Sequence, residues 1–364
     1  MSITPAKSGI QRIKPHMVGG SAKAGKPVGV FLNSNESAYG ASPSALEAVR
    51  SAASGLERYF EFADDHLAPL IGQQFGLNPA QITIGQGSDD LLARLARGYL
   101  GPGTELVRTA NGYLKVPNYA YANDAEVISV PDEGFKPSVD GIIAAISEKT
   151  RIVYLANPEN PAGTYLTGEE VRRIHAATPE NALLVLDCAY EEYVDALDYE
   201  PGEILVGEAD NVVMCRTFSK IYGLAGARVG WAYGPLDVID TVKRIALTFP
   251  IASTSAAAVR SALLDQEHIR NVYTENLKNR KWLTEELEKL GLEVVPSQTN
   301  FLLVRVEHAE HTAESVDLAL QAHGIAIRRF AAPAYRDYIR ITLGFPHELR
   351  KLMDAMNSIL KGAE

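Results

Sequence analysis

The sequence predicts an α/β protein, with a large, doubly wound, mostly parallel sheet domain beside a smaller α+β domain. Short β-rich runs alternate with helical patterns from about residue 80 onward. Several of these runs are apolar throughout, as strands buried on both faces of a parallel sheet must be. After about residue 255 the texture changes to a long helical stretch and widely spaced short strands.

Ile82-Thr83-Ile84 reads as a strand before a helix that starts near Ser88. Strands follow at residues 105–107, 126–128, 151–155, 183–186, 212–214 and 229–232. Ligands of such sheets bind beyond the carboxyl ends of the strands, so the residues just after each run are the candidates. One helix is expected over residues 255–290, then strands at 292–295, 301–306, 325–328 and 338–343, and a last amphipathic helix over 347–360. The expected division is 1–30 as an N-terminal segment packing across the domain junction, 31–260 as the large domain and 261–364 as the small one.

A chain of 364 residues exceeds what a single core usually organises. With 46% hydrophobic and 22% charged residues it is neither disordered nor fibrous. A formal net charge of −10 opposes non-specific binding to nucleic acid or an anionic membrane. It leaves room for a small anionic ligand held by a few local cations. The two cysteines, Cys188 and Cys215, lie in apolar strand-like runs and read as core residues, and no metal site is expected. Residues 1–11 lack the apolar stretch of a signal peptide and no window approaches ~20 apolar residues, so the expected location is the cytoplasm.

The residues after the strands carry the chemistry. Lys220 follows a buried strand, among the hydroxyls of Thr217 and Ser219. Seen alone it is a solvated lysine. Asp187 ends the apolar run 183–186, with Tyr190 three residues on. A carboxylate there is poorly solvated and needs a cationic or hydrogen-bonding partner, unless it merely caps a turn. The run Asn157-Pro158-Glu159-Asn160-Pro161-Ala162-Gly163-Thr164 reads first as a turn that presents Asn160. Gly85-Gln86-Gly87-Ser88-Asp89-Asp90 links a strand to a helix, where free N–H groups and the dipole favour a phosphate. The acidic pair equally suits a plain helix cap. Arg228 offers a bidentate countercharge. Together, in one order and all at strand ends, these elements are far more specific than any one of them.

That set resembles the fold-type-I pyridoxal-phosphate aminotransferases and, within them, the histidinol-phosphate aminotransferase family. The matching segments run from Leu32-Asn33-Ser34-Asn35-Glu36 to Arg340-Ile341-Thr342-Leu343-Gly344. The resemblance implies pyridoxal 5'-phosphate as cofactor, carried by Lys220 as a Schiff base, with Asp187 on its ring nitrogen and Asn160 and Tyr190 on its phenolate oxygen. It implies that the amides of Ser88 and Asp89, with Thr217, Ser219 and Arg228, hold the phosphate, and that Tyr113 stacks on the ring. It implies a homodimer in which Tyr59 reaches the neighbouring site. Arg340, Arg328, His16 and Asn35 would bind amino-acid and keto-acid substrates. The departures cluster on the substrate side: His16 for a tyrosine, Val116 for a second aromatic, Pro250 for an asparagine, Ala162 for a threonine and Phe60 for a proline. Alternatives are an aminotransferase for aromatic or other amino acids, a decarboxylase or lyase on the same scaffold, and a silent binding protein, against which the presence of Lys220 argues.

Overall fold

The computed structural model describes residues 6–13, 29–60 and 62–361. Its strands, in chain order, begin with β1 (Val30–Phe31), β2 (Ile82–Gly85), β3 (Glu105–Thr109) and β4 (Glu126–Val130). Then come β5 (Thr150–Ala156), β6 (Leu183–Asp187), β7 (Val212–Thr217) and β8 (Gly230–Tyr233). The last are β9 (Glu293–Val295), β10 (Phe301–Arg305), β11 (Ile325–Ala326) and β12 (Tyr338–Thr342).

Strands β2 to β8 form one sheet in the order β2-β8-β7-β6-β5-β3-β4. Every neighbouring pair is parallel except the two made by β8, which runs against both β2 and β7. This reversal brings the start of β8 to the carboxyl ends of its neighbours, with Gly230 opposite both Gly85 and Thr217. The uniform apolarity of the central strands has a direct cause. Leu184 and Leu186 of β6 pack with Val153 and Leu155 on one face, while Leu183 and Val185 pack with Ile152 and Tyr154 on the other. Successive strand side chains point to opposite faces, and helices cover both, so most positions along them are apolar. Each buried Leu or Val contributes about 1.5–3 kcal/mol. The run ends at Asp187, where the strand leaves the core for the ligand side of the sheet.

Strands β12, β10 and β9 form a separate antiparallel sheet over a second core that includes Leu302, Val304, Ile339, Ile341 and Leu352. Alternation along β12 turns Ile339 and Ile341 into that core, so Arg340 and Thr342 face the other way. The strand expected at 325–328 is shorter. β11 pairs in parallel with β1, and Arg328 touches this sheet through a single bridge to Arg340.

The single helix expected over 255–290 is two helices, Ser253–Leu264 and Gln266–Lys289. Asp265 breaks it by capping the second, its carboxylate accepting from the His268 amide at 3.2 Å and the Ser44 hydroxyl at 3.0 Å. At the N-terminus, helix Ser8–Gln11 packs beside β4, with the Gly9 amide donating to Asp124 at 2.7 Å and Arg12 paired with Glu126 at 2.9 Å. Residues 14–28, His16 among them, lie outside the described residues. No described helix is long and apolar enough to cross a membrane.

Asp265→Ala is expected to lower stability by about 1 kcal/mol, read as a drop in denaturation midpoint at pH 7. The His268 amide holds the Asp265 carboxyl below its ordinary range. Its stabilisation is therefore full at neutral pH and is lost as the pH falls below about 4. Equal midpoints at pH 7 contradict the assignment.

Candidate active site

The helix Ser88–Tyr99 starts directly after β2 and the glycine turn. Gly87 is its N-cap, at φ +79°, and no side chain occupies the cap. The first helix amides are thus left for a ligand. A Cβ on Gly87 would lie 2.8 Å from Arg228 Nη2, so only glycine lets the guanidinium come this close. Arg228 itself sits in the left-handed region at φ +53°, which costs about 1 kcal/mol or more for a non-glycine residue. Its Nη1 donates to Ser219 Oγ at 3.3 Å, and the Thr217 hydroxyl donates to the same oxygen at 2.9 Å. Ser88, Asp89, Thr217, Ser219 and Arg228 line one cavity of about 240 Å³ together with Lys220.

The acidic pair divides between its two readings. Asp90 accepts the Gln86 amide at 2.9 Å and forms an ion pair with buried Arg94, so it secures the turn. Asp89 accepts the hydroxyls of Tyr113 at 3.0 Å and Tyr119 at 2.6 Å, with Lys115 Nζ 3.6 Å away. It belongs to the site.

At the end of β6, Asp187 is 6% exposed. Its Oδ2 accepts the Tyr154 hydroxyl at 2.8 Å, while Oδ1 is buried without a partner. Burial pushes its carboxyl up to about 6, against the pull of Tyr154. A buried acceptor without a donor costs about 1–3 kcal/mol. A cationic N–H, such as a protonated ring nitrogen, would supply both the missing donor and the missing charge. Tyr190 stands beside it, and its oxygen accepts from Asn35 Nδ2 at 2.9 Å and Asn160 Nδ2 at 3.3 Å. With both lone pairs taken, its proton is free to be donated into the cavity. Lys220 Nζ lies 5.5 Å from the centre of the same ring.

A second cavity of about 240 Å³ shares Tyr113, Asn160, Tyr190 and Lys220 with the first and adds Lys115, Arg328 and Arg340. Among the described residues no carboxylate lines it. Arg340 is buried, donating to Asn160 Oδ1 at 2.7 Å and the Asn33 carbonyl at 3.0 Å between the rings of Phe301 and Phe330. Burial lowers its pKa to about 10, so it stays charged at neutral pH. Asn35, at φ +56°, is locked to Thr342 by two hydrogen bonds. A wider depression of about 700 Å³ around Arg172 and Tyr199 lies on the outer surface and holds none of these groups.

Of the residues singled out in the sequence, Lys220, Asp187, Tyr190, Ser88, Asp89, Tyr113, Asn160, Thr217, Ser219, Arg228, Asn35, Arg328 and Arg340 meet in these two cavities. Tyr59 does not. It is 75% exposed and stacks on Phe249 at 4.1 Å, lining neither cavity of its own chain. His16 lies outside the described residues. The expected clustering of departures on the substrate side fails for Val116 and Ala162. Both are buried in apolar clusters and line neither cavity. Sequence reasoning missed Tyr154, Tyr119, Lys115 and Asn33. For Tyr154 a signal existed, since a lone phenol in an apolar strand needs a buried acceptor.

The sequence model of the aminotransferase class I and II family matches residues 28–356. The histidinol-phosphate aminotransferase of Rhodospirillum centenum is 41% identical over 97% of this chain and 98% of its own. That of Nitrobacter winogradskyi is 38% identical over 99% of each. A crystal structure of histidinol-phosphate aminotransferase from Sinorhizobium meliloti, in complex with pyridoxal-5'-phosphate, matches at TM-score 0.91 and 30% identity, covering 99% of this chain and 98% of that one. Aspartate aminotransferase from Thermus thermophilus, 21% identical at TM-score 0.84, shares the fold. With its cavities formed at the strand ends and its likeness running nearly end to end, the chain belongs to the class I and II aminotransferases and, among them, to the histidinol-phosphate aminotransferase family.

Proposed function

We propose that this protein is a pyridoxal-phosphate aminotransferase whose substrate carries a phosphate besides its amino group, as histidinol phosphate does. The observation that carries the reading is the buried, unpartnered Oδ1 of Asp187 in a cavity that also holds Lys220. The relative from Sinorhizobium meliloti, solved with pyridoxal-5'-phosphate, supports the cofactor. A second cavity with Lys115, Arg328 and Arg340 and no lining carboxylate among the described residues suits a substrate with a multiply charged anionic group such as a phosphate. In this reading residues 31–260 bind the cofactor and 261–364 bring the anion-binding arginines.

Bound pyridoxal phosphate supplies an electron sink for the pair left on Cα when a substrate bond breaks. Asp187 keeps the ring nitrogen protonated, and Tyr154 fixes the carboxylate for that task. Tyr190 directs its proton to the phenolate oxygen because Asn35 and Asn160 occupy its lone pairs. Ser88, Asp89, Thr217, Ser219 and Arg228 hold the phosphate. Two phenols and Lys115 take up the charge of the Asp89 side chain, which would otherwise repel it. Tyr113 covers the ring. Lys220 Nζ would carry the cofactor and, when free, would take up the Cα proton and return it. Arg340, with Arg328, grips the anionic ends.

The reading includes a homodimer. Tyr59, Phe62, Leu56 and Leu247 are exposed apolar side chains, and Tyr59 is stacked on Phe249. A second copy covering this surface would carry Tyr59 towards its neighbour's phosphate.

Borohydride treatment of protein loaded with pyridoxal phosphate is expected to fix one adduct at Lys220, located by peptide mass spectrometry. An adduct on another lysine, or none, ends the reading. Arg340→Lys keeps the charge and loses the planar fork, so catalytic efficiency should fall at least about tenfold, a loss of ~1.4 kcal/mol. The fall is uniform across amino acids if Arg340 holds the α-carboxylate, and greatest for phosphorylated substrates if it holds the phosphate. Wild-type efficiency on the best substrate sinks both versions.

A further inference from the structure

Glu159 stands in the middle of the Asn-Pro-Glu-Asn-Pro turn, 2% exposed, and none of the roles above uses it. Its Oε1 accepts two backbone amides, that of Tyr113 at 3.1 Å and that of Asn160 at 3.0 Å. These two residues sit on different loops, one after β3 and the other after β5. A Cβ on Gly112 would come within 2.8 and 2.9 Å of the two carboxylate oxygens, so the Tyr113 loop lies directly on the carboxylate. The turn is also closed by the backbone of Glu159. The Glu159 amide donates to the Thr164 carbonyl at 2.7 Å and the Glu159 carbonyl accepts from the Gly163 amide at 2.8 Å.

The placement is costly. Oε2 is buried without a partner, and burial pushes the carboxyl up to about 8, with the charge of Arg108 opposing the shift. Asp132 and Asp187 add to it, and the phenols of Tyr154 and Tyr335 also face the group. A polar group in so unfavourable a position is explained by what it holds.

We infer that Glu159 is a positioning residue, one carboxylate oxygen setting both Tyr113 and Asn160 over the site. This rests on the proposed function, in which Tyr113 covers the cofactor ring. Asn160 extends the link further, because its side chain donates to Tyr190 and accepts from Arg340. Glu159 therefore ties the cofactor side of the site to its anion grip, and displacing it disturbs both.

Two variants separate the reach of the acceptor from its ability to ionise in the full-length protein. Glu159→Gln keeps an acceptor oxygen at the same reach in a group that cannot ionise. Glu159→Asp keeps the carboxyl and draws the acceptor back by ~1.5 Å. Four quantities are read: hydrogen exchange at the Tyr113 and Asn160 amides, Kd for pyridoxal phosphate, KM against kcat, and the pH at which the visible absorbance of the Lys220-linked cofactor changes. The Gln protein should keep both amides protected and stay within about threefold of wild type in Kd and KM. The Asp protein should exchange faster at both amides, weaken Kd and KM by about tenfold, the scale of a lost hydrogen bond, and shift the absorbance titration. If it folds poorly, exchange at the two amides in its folded fraction decides the same point. An Asp protein that matches wild type overturns the inference. So does a Gln protein as impaired as the Asp protein with both amides still protected. Wild-type protein that takes up no pyridoxal phosphate removes the functional reading instead, and the exchange measurements still decide whether Glu159 holds the two loops.

Discussion

A carboxylate buried at the end of a central strand, with one oxygen bonded and the other not, is the constraint around which the site is arranged. Asp187 lies between β5 and β7, opposite Ala156 and Cys215, where water has little access. The apolarity of the central strands keeps that floor dry and holds the Asp187 carboxyl up near 6. Tyr154 contributes the side-chain hydrogen bond that fixes its orientation. What would satisfy the remaining oxygen is a donor with positive charge, and the cavity above it is lined by the groups that would hold such a ligand by its other end.

Two features of chain geometry bring those groups together. The reversal of β8 returns the chain to the ligand side of the sheet, so Arg228, before that strand, meets Ser219, after β7. Alternation along β12 buries Ile339 and Ile341 and turns Arg340 towards the first sheet, where Asn160 receives it. The two cavities then share Lys220 and Tyr190, so a proton handled at Lys220 Nζ is within reach of both the cofactor side and the substrate side.

Much of this was legible in the sequence because strand burial and ligand placement follow local rules. An unbroken apolar run marks a central strand, and the polar residue that ends it marks the site, as with Asp187 and Thr217. Partnerships across long separations were not legible. The phenol of Tyr154 announces a need for a buried acceptor but not that Asp187 is the one until the register with β6 is known, and Glu159 reads as part of a turn until the Tyr113 loop is seen resting on it. The break at Asp265 was hidden because the helical pattern continues on both sides, and only a side-chain cap interrupts it. Ala162 and Val116 show the reverse error. By position they fall among the departures on the substrate side, and packing places them in apolar clusters.

The central claim is that the Asp187 carboxylate makes the bound cofactor an effective electron sink. Single-turnover measurement of Cα proton transfer in Asp187→Asn, beside its Kd for pyridoxal phosphate, tests it most directly. An amide there still accepts from Tyr154 but cannot keep the ring nitrogen protonated. The account predicts a chemical step slowed by at least about a hundredfold with Kd changed by less than about tenfold. A wild-type rate of proton transfer in that variant contradicts it.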